Sequence, residues 1–138
     1  MRFHQAILAA SLSLLFAAGL PAYAQAPSLD GKRFVAEAGP TGKPADEKDD
    51  KLTFSDGKFH SSSCDKYGFT AAPYKTSMSG SSMGFETETR NEKGERITWK
   101  GTVEGDTITG NFTYYPKGWF LNPNPAPEEH WFKGSKAP

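Results

Sequence analysis

The sequence predicts an all-β fold: an eight-stranded antiparallel up-and-down meander closing into a small barrel. Three observations carry this. Beyond residue 24 no helical hydrophobic period stands out, and short runs alternate apolar and polar residues instead. Aromatic residues, Thr and Gly are abundant, as suits strands and tight turns. Four separate turns each set a hairpin register that keeps the apolar residues on one face.

The runs predict strands near 32–39, 50–55, 58–64, 73–79, 82–91, 95–104, 107–116 and 129–135. Asp56-Gly57 pairs Phe54 with Phe59, and Gly80-Ser81 pairs Met78 with Met83. Glu92-Lys93-Gly94 fits a three-residue loop that pairs Thr89 with Ile97, Thr87 with Trp99 and Phe85 with Gly101. Gly105-Asp106 pairs Val103 with Ile108, Gly101 with Gly110, Trp99 with Phe112 and Ile97 with Tyr114. A slip of one residue at any of these turns would send the apolar set to the wrong face. Closure into a barrel removes the exposed strand edges, and Gly101 and Gly110 sit mid-strand, where a barrel needs a bend or a close approach. A sandwich of two sheets is the alternative architecture.

Strand direction sorts the loops. The tight turns at Asp56, Gly80 and Gly105 share one end. Segments 40–49, 65–72 and 117–128 and the Glu92 turn share the other, which is expected to be the mouth. Inward residues near the tight end are large: Phe34, Phe54, Phe59, Met78, Met83, Phe85, Val103 and Ile108. Toward the mouth the alternation places Ala36, Ala38, Ser61, Ser63, Thr76, Thr87 and Thr89 inward, among Tyr74, Ile97, Trp99 and Tyr114. Small and hydroxyl side chains leave room, so a cup lined by Ser61, Ser63, Tyr74, Thr76, Thr87, Trp99 and Tyr114 is expected to hold a small, partly apolar ligand. A filled core with a few buried waters would account for the same residues.

The N-terminus reads as a secretory signal peptide. Arg2 precedes the apolar run Ala6–Leu20, Pro21 breaks it, and Ala22-Tyr23-Ala24 offers a small-x-small cleavage site. The run is shorter than the ~20 residues that span a bilayer, so a periplasmic or secreted domain of residues 25–138, without a membrane span, is expected. Acidic and basic residues balance at 16 each, with no basic stripe to draw nucleic acid.

The single cysteine, Cys64, rules out an internal disulfide. Strand alternation turns it outward at the rim, where it is a candidate reactive thiol; an inert, semi-buried thiol is the plainer reading. His60 and Cys64 stand ~13 Å apart on an extended strand, too far for one metal ion, and no metal or cofactor is expected. His130 beside Cys64 would be the only base for a nucleophile, and no elbow, phosphate-loop or dinucleotide motif is present. Catalytic residues are therefore not assigned. The loop "PKGWFLNPNPAPEEHWF" carries Trp119, Phe120 and Leu121 on a proline-stiffened segment. It is expected either to cap the cup with Trp119 and Phe120 or to dock an envelope protein, as an interaction or inhibitor module would. "TGKPADEKDD" reads as a solvated loop.

With its terminal strands closing at one edge, the eight-strand meander resembles the calycin type of barrel, as in lipocalins, fatty-acid-binding proteins and avidins. The resemblance implies a ligand cup. "LDGKRF" is similar to the lipocalin Gly-x-Trp opening, but Gly31 is followed by Lys32 and Arg33, with Phe34 one place later. The usual lipocalin disulfide is absent, and no positions match the biotin contacts of avidin. "FSDGKF", Cys64, Gly68-Phe69, "WKGTVEGDTITG" and "HWFKG" are also similar to small exported bacterial proteins of no assigned activity, a likeness that brings no catalytic residues.

Overall fold

Alternating sequence runs and Gly-centred turns produce a closed antiparallel barrel. The computed structural model describes residues 27–138; the signal peptide expected at 1–24 lies outside the described residues. The strands are β1 (Arg33–Pro40), β2 (Glu47–Ser55), β3 (Lys58–Ser61), β4 (Ala72–Ser79), β5 (Ser82–Arg90), β6 (Arg96–Glu104), β7 (Thr107–Tyr115) and β8 (Glu128–Lys136). Each pairs with its sequence neighbour, and β8 closes on β1, so the barrel holds and the sandwich does not. Among the described residues no helix is long and apolar enough to cross a membrane.

All four hairpin registers agree with the turn chemistry. Phe54 faces Phe59, Met78 faces Met83, Thr87 faces Trp99 and Gly101 faces Gly110. At the first hairpin Asp56 (φ 53°) and Gly57 (φ 73°) are both left-handed, the backbone of the turn whose twist matches that of the strands it joins.

The closed half of the barrel is filled. Phe34, Phe54, Phe59, Phe85, Val103 and Ile108 are buried, and Phe54 is the hub, within 5.0–5.3 Å of the rings of Tyr74, Phe85 and Phe59. Such offset and edge contacts add to the burial itself. Met78 departs from the expectation: it pairs with Met83 beside the Gly80-Ser81 turn, and its side chain is exposed.

Residues 27–31 plug this end, an element the sequence reading did not foresee. Leu29 is 0 % exposed. Gly31 N–H donates to Phe54 O, and Asp30 accepts from Gly57 N–H at 3.0 Å, locking the plug to the first turn.

Candidate functional site

The mouth half is not filled. A cavity of about 470 Å³ opens there, within the range of small-molecule sites. Its floor is apolar: Trp99, Ile97, Phe112, Phe69 and Ala38. The Trp99 indole lies 4.5 Å from the Phe112 ring and donates its N–H to Thr89 Oγ1 at 3.3 Å. His130 stacks on Phe112 at 4.7 Å, nearly parallel. In β8, therefore, His130 and Phe132 face inward, while Trp131 faces outward and donates to Lys43 O.

Two local devices build the wall. Ala36 pairs with Asp50 and Ala38 with Glu47, so Lys48 and Asp49 together oppose the one residue Glu37. This is a β-bulge, and Asp49 absorbs it at φ 63°, a left-handed conformation that Asp tolerates better than most residues. Residues 47 and 50 differ in parity, and only the bulge lets both Glu47 and Asp50 line the cavity. The segment read as a plain solvated loop thus contributes Asp46, Glu47 and Asp50 to the site.

The second device corrects the reading of residues 58–64. β3 stops at Ser61, and Ser62–Tyr67 form a short 3-10 helix closed by left-handed Gly68. Asp50 draws the chain round: its carboxylate accepts from Ser61 Oγ at 2.7 Å and from Ser63 N–H at 3.0 Å. Ser62 Oγ accepts from Lys51 N–H at 2.8 Å, taking the place of a strand partner. With the alternation broken, Cys64 turns back toward the core and lines the cavity instead of pointing out at the rim.

The Cys64 Sγ lies 3.4 Å from Ser61 Oγ. Burial, reinforced by Asp50, Asp65 and Glu47 against the opposing Ser61 hydrogen bond, pushes its pKa from an ordinary 9.0 to about 11. A nucleophilic thiol needs the opposite shift. At pH 8 the native protein is expected to react with iodoacetamide about 100-fold more slowly than the unfolded chain, since two pKa units remove that much thiolate. Native labelling as fast as unfolded would restore the reactive-thiol reading. The linkage has a definite sign. The unfolded chain releases the thiol proton first, so relative to Cys64→Ala the native state loses stability as pH rises from 9 toward 11, by about 2–3 kcal/mol.

Of the expected ligand-binding residues, Ser63, Trp99 and Tyr114 line the cavity. Ser61 stands behind the wall, holding Asp50. Tyr74, Thr76 and Thr87 do not line it. β4 pairs with β3 only through Lys58–Pro73 and Phe59–Ala72, so it begins level with Phe59 and runs toward the closed end. There Tyr74 Oη donates to Asp30 at 2.5 Å and accepts from Leu29 N–H at 3.0 Å; burial and the Asp30 contact raise its pKa. Thr76 Oγ1 donates to Pro27 O, and Thr87 Oγ1 to Pro73 O.

Trp119 and Phe120 do not cap the cup. They stand in a turn closed by reciprocal Trp119–Asn122 backbone bonds, and Phe120 is 92 % exposed.

The sequence reading missed Asp50, Glu95 and His130 as lining residues. Glu95 precedes β6, where its carboxylate accepts from Asn91 Nδ2 at 2.9 Å and from Tyr114 Oη. His60 bonds Asp65 at 2.6 Å, outside the cavity. Among the described residues no three His, Cys, Asp or Glu side chains converge as metal ligands would. No protein-family model, curated protein or solved structure matches the chain.

Proposed function

We propose that this barrel is a non-enzymatic binding protein that holds a small, partly apolar ligand in its mouth-side cavity. The observation that carries the reading is the 470 Å³ hollow above an aromatic floor, in a barrel whose other half is packed solid. The calycin-like meander agrees with it, since members of that group carry small molecules in such cups. The signal-like segment 1–24 supports a periplasmic or secreted setting.

Calorimetric titration with 1-naphthylmethanol, a neutral aromatic probe, tests this. Wild type is expected to bind in the micromolar to millimolar range, and Ala38→Phe, which fills the cup from β1, to lose at least ten-fold. Equal binding by Ala38→Phe would sink the reading, as would absence of binding by both this probe and its amine analogue 1-naphthylmethylamine.

Exposure of Trp119, Phe120 and Leu121 together favours a second reading, docking of an envelope protein. Replacing all three by Ser should then abolish recovery of a partner from envelope extract while leaving naphthylmethanol binding intact.

A further inference from the structure

We infer that the ligand of this cup is an organic cation: an amine or quaternary ammonium group on an apolar, preferably aromatic, body. The inference rests on the binding reading above and names its ligand class.

The cavity is lined by five carboxylates, Asp46, Glu47, Asp50, Glu95 and Glu128, and by no Lys or Arg. A chain with 16 acidic and 16 basic residues has thus gathered one sign of charge round this hollow. Low-dielectric walls focus such a field into the cleft.

Asp50 is the strongest observation. It is 5 % exposed, yet no ion pair neutralises it among the described residues, and its hydrogen bonds come only from neutral serine hydroxyls and a backbone N–H. A buried charge is costly unless paired. The cavity that Asp50 lines is where a cationic partner would enter.

Of the neighbouring cations, the two arginines are committed elsewhere and only Lys66 reaches a lining carboxylate. Arg96 follows Glu95 in sequence, but its guanidinium lies 3.7 Å over the Tyr115 ring and bonds Glu88 at 3.0 Å. Arg90 also bonds Glu88. Lys66 reaches Glu47 at 3.9 Å from the exposed rim and does not line the cavity. His130 is the one lining side chain able to carry positive charge.

Geometry separates an organic cation from a metal ion. Glu47 and Asp50 belong to β2, and Glu95 immediately precedes β6, four strands away in either direction round the closed barrel. Glu47 and Asp50 therefore face Glu95 across the hollow, and among the described residues no three such side chains converge on a point. Trp99, Phe112 and Tyr114 between them offer π faces, which also attract cations.

The test compares 1-naphthylmethylamine, 1-naphthylmethanol and 1-naphthoate by calorimetry at neutral pH and low salt. They share one aromatic body and differ in charge. The amine is expected to bind roughly ten-fold or more tightly than the alcohol, and the carboxylate more weakly than either. Added salt should narrow the gap. Glu128→Gln, at the exposed rim, and Asp50→Asn should each reduce the amine-over-alcohol preference several-fold. Glu128→Gln keeps the test valid should Asp50→Asn disturb the fold. If the alcohol binds in the Ala38→Phe-sensitive manner but the amine binds no better, the cation inference is overturned and the binding reading stands. If neither binds, both fall.

Discussion

Replacing Phe59 by Ala is expected to destabilise the protein by about 3–5 kcal/mol, the range for removing a buried aromatic ring. Phe59 is 0 % exposed and touches three rings: Trp99 at 4.9 Å, Phe54 at 5.3 Å and Phe85 at 5.5 Å. It joins the solid half of the barrel to the floor of the cup. The strand walls are held by their ladders, so they cannot collapse to fill the space, and the loss should lie toward the upper end of the range. A fall in thermal midpoint of roughly 15 °C follows for a domain of this size. Phe59→Leu, which keeps most of the volume, should cost much less. A small effect of Phe59→Ala in denaturant unfolding would mean that the core does not depend on this ring stack.

A methyl group at Gly110 should be nearly as damaging. Its Cβ would stand 2.3 Å from Lys100 O, 2.6 Å from Gly101 Cα and 2.6 Å from the Phe132 ring. Two of these are backbone atoms of the paired strand β6, and they cannot retreat without parting the ladder. Gly101, the cross-strand partner, is crowded in the same way by Phe85, Phe132 and Thr109 O. Overpacking of a core costs about 1–3 kcal/mol and sometimes more; with backbone on two sides, Gly110→Ala should cost roughly 3 kcal/mol, and Gly110→Val should prevent folding. If Gly110→Ala unfolds within a few tenths of a kcal/mol of wild type, the close approach of β6 and β7 is not as described.

The mid-strand glycine pair was legible from the sequence, and so were the hairpins, because a two- or three-residue turn and side-chain alternation together leave one register. Between β3 and β4 no tight turn acts. Residues 62–71 join them, and the sequence carries nothing to say how far β4 slides. It slides toward the closed end, taking Tyr74 and Thr76 from the expected cup to the plug at Leu29 and Pro27. Asp50 was within reach: Phe54 and Leu52 face inward, and the same parity brings Asp50 with them. Glu47 was not, because its inward turn depends on the bulge at Lys48-Asp49, a single added residue inside a polar run. Cys64 was misplaced for a related reason. Side-chain bonds from Ser61 and Ser62 and the backbone bond from Ser63, all to Asp50, end the strand early, and hydrogen bonds of that kind leave no periodic trace.

Whether the mouth of this barrel is an open ligand cup is read most directly from the indole N–H resonances during titration with 1-naphthylmethylamine. The three tryptophans report separate places: Trp99 on the cup floor, Trp119 in the exposed turn and Trp131 on the outer wall. A saturable shift of the Trp99 resonance is expected, with Trp119 and Trp131 unmoved. A shift at Trp119 alone, or no saturable shift at Trp99, would contradict it.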